Sequence, residues 1–260
     1  MEKFIIEGRQ PLAGSVTPSG SKNEVLPCLA AALLTDDPVI LGNVPRIRDV
    51  LVMCEVLEHQ GATVEWIGEN RVRIVASAVG AHHPQRRPVP QGARPSCSRG
   101  RWWRGWGGWC CRRRGGDVIG RRRLDTHFHA FEALGATVEV SDVYDIQASS
   151  LTGADIFLDE ASVTATENAI MVAALARGTT ILRNAASEPH VCALARMPGG
   201  HGAHIDGIGT NTLRIEGVER LGGVEHEVES DYLEIGSLIG LAAVTRSELT
   251  INKVRPTDLA

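Results

Sequence analysis

"FEALGATVEV" at residues 131–140 closes a helical pattern on Gly-Ala and continues as an alternating strand. Glycine suits the left-handed C-cap of a helix, and alternation of apolar with polar residues is what a half-buried strand requires. The same step recurs in "VLEHQGATVEW" (56–66) and, in damaged form, in "GGHGAHID" (199–206). A second unit joins an apolar helix to a short strand through turn residues: "AALLTDDPVILGNVP" (31–45), "AALARGTTILRNAASEP" (173–189) and "LAAVTRSELTINKVRP" (241–256). Two independent units in consistent order predict a repeated α/β architecture, with helices inside and strands outside or the reverse. The alternative is chance recurrence of Gly-Ala in an Ala-rich chain, and the second unit argues against it.

The 260 residues are 43% hydrophobic and 22% charged, enough for one large domain or two modest ones with a substantial core. With no run of 18 apolar residues and no basic-then-apolar leader at Met1, the expectation is a soluble cytoplasmic protein without a membrane segment. Six cysteines without any C-x-x-C pair, two of them adjacent (Cys110 and Cys111), fit neither a disulfide scaffold nor a structural zinc site. Cys28, Cys54 and Cys192 lie in apolar helical contexts and are expected to fill core space.

Two places break the repeat. Residues 80–114 hold nine arginines with no Lys, Asp or Glu, leaving 18 basic against 31 acidic residues elsewhere. Four of the five tryptophans, Trp102, Trp103, Trp106 and Trp109, crowd into the same segment, whose one large aliphatic is Val89. It shows no period of 2 or 3.6 and is expected to lack regular structure. The second break is "RMPGGHGAH" (196–204), where Pro198, Gly199 and Gly200 stand where the other copies have helix. An interior proline costs roughly 3 kcal/mol and each glycine about 1, so that helix is expected to be cut short.

Several junctions carry chemistry. "SGSKNEVLP" (19–27) opens the first helix, with Gly20 or Ser21 as its cap, Lys22 as a mobile cation and Asn23 as donor and acceptor. Such a helix start suits a phosphate or carboxylate, although an ordinary capped helix explains it equally. "NVPRIRDV" (43–50) sets Arg48 and Asp49 at another strand-to-helix junction, where a solvated pair is the simplest account. In "GGDVIGRRRLDTH" (115–127) Gly115 and Gly116 expose Asp117 at a turn, followed by Arg121, Arg122, Arg123, Asp125 and His127. A carboxyl among guanidinium groups can act as a general acid only if loop closure and loss of water raise its pKa. "LDEASVTATENAIM" (158–171) enters an apolar helix through cap candidates Ser162, Thr164 and Thr166, with Glu167 three residues after Thr164 as in a capping box.

Together these motifs resemble the UDP-N-acetylglucosamine 1-carboxyvinyltransferase family, the enolpyruvyl transferases that begin peptidoglycan synthesis. The matching stretches are "GSKNEVLP", "GNVPRIRDV", "GGDVIGRRRLDTH", "FEALGATVEV", "SVTATENAIM", "GTTILRNAASEPHV" and "GTNTLRIEGVERLGG", in family order over nearly the whole chain except 80–114. The resemblance implies repeated α/β units forming the family's inside-out barrel, one lobe nearly complete and the second partial. Residues 1–21 would start the second lobe, 22–229 form the first, and 230–260 be a fragment of the second. It implies transfer of the enolpyruvyl group of phosphoenolpyruvate to the sugar 3-hydroxyl, with release of phosphate and without a metal or organic cofactor. Lys22 and Asn23 would contact the substrates. Arg122, Arg123, Leu124, Asp125 and Thr126, with Ser162, Val163 and Thr164, match the segments that hold the uridine nucleotide. Arg48, Asp49 and His127 are further candidates. Asp117 stands where the family usually has cysteine and would protonate the methylene carbon of phosphoenolpyruvate. Locally gathered cations would offset the repulsion between an acidic body and anionic substrates.

Two departures qualify the expectation. Residues 80–114 do not resemble the family, whose chain here has a helix, a strand and a nucleotide-contacting arginine. Arg, Gly, Trp, Cys and Pro are what GC-rich codons give out of phase, which points to a compensated frameshift. The family also continues beyond the position of Ala260, with an aspartate that receives the sugar hydroxyl proton and arginines that bind phosphoenolpyruvate, so impaired turnover is expected. The competing readings are an inactive fragment that only binds the nucleotide sugar, and an α/β domain with an Arg/Trp nucleic-acid arm. An arm interrupting a repeat unit beside a catalytic loop is the poorer explanation, and no nucleic-acid partner is expected.

Overall fold

The computed structural model describes residues 11–77, 108–112, 124–141, 143–200 and 202–259, with Lys3, Ile5 and Gly8. Strand β1 (Ala13–Val16) leads into helix α1 (Lys22–Ala31), strand β2 (Val39–Gly42), helix α2 (Arg48–His59) and a hairpin of β3 (Thr63–Gly68) and β4 (Arg71–Val75). The strand–helix–hairpin unit then recurs as β5 (Gly108–Arg112), α3 (Asp125–Ala133), β6 (Thr137–Val140) and β7 (Val143–Gln147). After β8 (Asp155–Phe157) and α4 (Val163–Ala173) it recurs again as β9 (Thr179–Arg183), α5 (Pro189–Gly200), β10 (His204–Asp206) and β11 (Thr212–Glu216). β12 (Val224–Glu227), α6 (Tyr232–Thr245) and β13 (Glu248–Ile251) follow.

In every unit the last strand inserts between the other two, giving antiparallel orders β2-β4-β3, β5-β7-β6 and β9-β11-β10. A parallel neighbour joins two of the leading strands, β12 on β2 and β8 on β9, and β1 pairs in the same way with β13. The predicted glycine caps are all left-handed, with φ of 96° at Gly61, 99° at Gly135 and 115° at Gly202. A further signature repeats just after β2, β9 and β13, where Asn43, Asn184 and Lys253 adopt φ of 52°, 57° and 52°. Three non-glycine residues in that sparsely allowed region, at matching positions, reflect one repeated turn.

Helices lie inside and sheets outside, which settles the alternative left open by the sequence. α1 is buried from Glu24 to Ala31 and α4 from Ala165 to Ala173. α1 packs on α2 and α5, while α4 packs on α3 and α5. One core gathers Val25, Leu29 and Leu33 against Leu41 and Ile74; the other sets Ile170 and Val172 against Phe131, Leu134, Leu182 and Ile215. Each such fully buried side chain contributes roughly 1.5–3 kcal/mol. Cys28, Cys54 and Cys192 are buried, as expected of core residues.

Two expectations are corrected. Residues 108–112, inside the aberrant segment, form β5, paired along its length with β7. The pairing is supplied by the open edge of the β6–β7 hairpin, so the strand owes little to local periodicity. The second correction concerns α5, which is not cut short but runs through Pro198 to Gly200, 12 residues like α2. Pro198 falls in the last turn, where its missing N–H forfeits one bond, and its carbonyl still accepts from Ala203 N–H at 3.0 Å.

α6 is apolar on most of its surface, yet Leu233, Ile239, Leu241 and Val244 are exposed and Ile235 is its one buried residue. It sits beside the two-stranded β1–β13 sheet, an arrangement too small to bury such a helix. Among the described residues no helix is long and apolar enough to cross a membrane.

Candidate active site

The first turns of α3 and α4 are stitched together by side chains. Thr126 Oγ1 donates to Asp159 Oδ1 at 2.9 Å, just ahead of α4. His127 places Nε2 3.2 Å from Thr164 Oγ1 and Nδ1 2.8 Å from Asn168 Nδ2. An amide donating to Nδ1 puts the ring proton on Nε2, which then donates to Thr164. Ser162 is the N-cap of α4, its Oγ accepting from Ala165 N–H at 3.4 Å. The predicted capping box fails on register: the third helical residue is Ala165, and Glu167 is buried within the helix. Thr166 also turns inward, accepting from Ala186 N–H at 3.0 Å.

Leu124, Asp125 and Thr126 therefore meet Ser162, Val163 and Thr164 at one junction of two helix starts. Helix geometry leaves the Val163 and Thr164 amides without intrahelical acceptors, a ready seat for a phosphate or carbonyl oxygen. His127 is 2% exposed with both ring nitrogens engaged by protein groups, so it braces the junction and does not face it. Replacing His127 by alanine leaves a cavity and strips Asn168 and Thr164 of partners. A loss of about 2–4 kcal/mol is expected in a denaturant titration.

At the other helix start, Lys22 Nζ lies 3.2 Å from Asp49 Oδ2 on α2, the two side chains 36% and 52% exposed. An exposed pair of this kind is worth at most about 1 kcal/mol, so an incoming anion can take Lys22 over. Asp49 thus pairs with Lys22, and Arg48 stands exposed at the first residue of α2. Asn23 is half-buried at the second position of α1. Ser21 occupies the N-cap position but makes no capping bond, and its buried Oγ has no partner. Asp117, Arg121, Arg122 and Arg123 lie outside the described residues, as does the rest of the glycine turn.

Sequence reasoning missed the groups behind these helix starts. Glu24, 1% exposed, accepts from His226 on β12 at 2.8 Å and from Glu229 N–H at 3.1 Å. The available signal was a lone carboxylate on an otherwise apolar helix. Burial pushes its carboxyl above the ordinary range, against the opposing pull of His226, Arg196 and Arg255. Glu24, Cys28 and His226 are the one donor set among the described residues close enough to hold a metal. Each oxygen of Glu24 already accepts a hydrogen bond from a protein donor. Asp159 and Asn168, the partners of Thr126 and His127, were also missed. A cleft of about 410 Å³ opens between β12 and the segment after β13, lined by Asn43, Glu229, Ile235, Lys253 and Arg255 among others. Among the described residues, none of the predicted site residues lines it.

Residues 6–260 match the profile of EPSP synthase (3-phosphoshikimate 1-carboxyvinyltransferase). The chain is 48% identical over 270 residues to a UDP-N-acetylglucosamine 1-carboxyvinyltransferase of Treponema denticola, covering 100% of this chain and 61% of the relative. A protein of the same name from Bradyrhizobium diazoefficiens is 49% identical over 249 residues, 96% of this chain and 58% of its own length. Among solved structures, the enolpyruvyl transferase NikO from Streptomyces tendae aligns with a TM-score of 0.74 at 21% identity, over 90% of this chain and 56% of that one. EPSP synthase from Acinetobacter baumannii gives 0.74 at 20% identity, over 97% and 58%. The chain thus spans about three fifths of the length of these relatives, and it belongs to the EPSP synthase family of carboxyvinyltransferases.

Proposed function

We propose that this chain carries the nucleotide-sugar-binding lobe of an enzyme that moves the enolpyruvyl group of phosphoenolpyruvate onto the 3-hydroxyl of UDP-N-acetylglucosamine. Phosphate is released, and the product enters peptidoglycan synthesis in the cytoplasm. The relatives' names support the reaction. The observation that carries the site is the bracing of α3 on α4 by Thr126–Asp159, His127–Thr164 and His127–Asn168. It makes one surface of the two segments matched to uridine-nucleotide contacts. In this reading residues 22–229 are the first lobe, and 1–21 with 230–260 belong to the second.

Each residue then has a chemical task. The helix-start amides at Val163 and Thr164 and the cations Arg122 and Arg123 hold the anionic nucleotide, with Leu124, Asp125 and Thr126 lining its base. Lys22, released from Asp49, and Asn23 hold the anionic substrates where the two lobes meet. Asp117, once the loop shuts water out, hands its proton to the methylene carbon of phosphoenolpyruvate. The sugar hydroxyl adds to the resulting cationic carbon, its proton passing to the aspartate that the family carries beyond the position of Ala260. The carbon–oxygen bond to phosphate then breaks as the methyl group gives up a proton to restore the double bond.

Calorimetry with UDP-N-acetylglucosamine tests the site. Binding is expected, and Lys22→Ala should weaken it by roughly 10- to 100-fold, the scale of a hydrogen bond to a charged group. Absence of binding at millimolar nucleotide sugar would remove the proposal. A second reading is binding of the nucleotide sugar without turnover. A phosphate-release assay on the same sample separates the two.

A further inference from the structure

We propose that Glu24, through His226 and Glu229, is a positioning residue that ties the Lys22 end of α1 to the strand crossing between β12 and α6. This rests on the reading of Lys22 as a substrate-binding cation. α1 has no side-chain cap of its own, since Ser21 makes no capping bond. Its first turn is held from outside instead. Glu24 Oε1 takes His226 Nε2, and Oε2 takes the Glu229 N–H. The Glu229 carbonyl returns the bond, accepting from Ser21 N–H at 2.8 Å.

Glu229 is itself the meeting point of three elements. Its carboxylate receives Arg196 from α5 at 3.4 Å and Arg255 from the segment after β13. One residue further, Ser230 bridges Gly20, and Asp231 N–H donates to Ser19 at 2.9 Å. The two crossings of the chain, 19–21 and 229–231, are thus paired with each other, and Glu24 fastens α1 to that pair. A carboxylate is a costly choice for a buried position on an apolar helix unless its bonds are needed, since leucine would pack there at no desolvation cost. Any shift of the crossing is therefore transmitted within one helical turn to Lys22 and Asn23.

Two measurements on the full chain decide this. The first is amide hydrogen exchange. In Glu24→Ala the Ser21 and Glu229 amides should exchange at least about tenfold faster, while α4 keeps its protection. The second is a double-mutant cycle read by calorimetry with UDP-N-acetylglucosamine. Glu24→Ala should weaken binding about tenfold in the parent and by less than about twofold in the Lys22→Ala background, because it acts through Lys22. Glu24→Gln keeps an acceptor for the Glu229 amide and should fall between; it also decides the matter should the alanine variant not fold. Unchanged exchange, or losses that simply add, overturns the proposal. Accelerated exchange beside a Lys22→Ala variant that binds like the parent would sink the functional reading and leave the tether standing.

Discussion

Asp117→Asn is expected to lower phosphate release by a factor of ~10²–10⁴ relative to the parent chain, with nucleotide-sugar affinity within about twofold of it. The amide keeps the size and polarity of the side chain but has no acidic proton to give the methylene carbon. An aspartate carboxyl is ionised in neutral water, so serving as the acid requires a closed state whose loss of water raises its pKa. The same position carries a second outcome. A carboxylate does not make the thioether by which fosfomycin inactivates cysteine-bearing members of the family, so the parent should keep its activity with stoichiometric inhibitor. Asp117→Cys should lose it and gain the adduct mass. Unchanged turnover in Asp117→Asn would place the acid elsewhere.

Gly20→Ala is expected to destabilise the chain by about 3 kcal/mol, near the upper end for overpacking, and to lower Tm by on the order of 5–10 °C. A Cβ at Gly20 would overlap the carbonyl oxygen of Asn43. That oxygen cannot easily retreat, because Asn43 is held in its left-handed turn with Nδ2 donating to Val228 O at 2.8 Å. Either the turn after β2 or the crossing at Ser230 has to give way, and Lys22 moves with it. Gly236→Ala in α6 is the control: an added Cβ meets nothing within 4 Å, and helix propensity favours alanine by up to about 1 kcal/mol. Differential scanning calorimetry of both variants gives the comparison. Similar Tm values would mean that the crossing tolerates more slack than its contacts suggest.

What was legible in the sequence was what local chemistry determines. Gly61, Gly135 and Gly202 each announce a left-handed cap, and the alternating residues that follow become strands. Ser162 announces the start of α4. What was hidden depends on distant partners. Trp109, Cys110 and Cys111 become a strand because β7 offers them an edge at Ile146, Asp145 and Tyr144. Pro198 ends up inside α5 because it falls in the last turn. Glu167 looked like half of a capping box but lies two residues too far along. His127 looked like a ligand-facing group, yet its bonds to Thr164 and Asn168, 37 and 41 residues away, make it a brace. Glu24 finds its partners 202 and 205 residues along the chain, a separation beyond the reach of local patterns.

Backbone amide shifts recorded while titrating the labelled chain with UDP-N-acetylglucosamine test the nucleotide site most directly. Saturable perturbations should concentrate at Leu124–Thr126, Ser162–Ala165 and Lys22–Asn23, with the β3–β4 hairpin silent. Perturbations centred instead on the cleft at Asn43, Lys253 and Arg255, with the α3–α4 junction unmoved, would contradict the assignment of the uridine nucleotide to that junction.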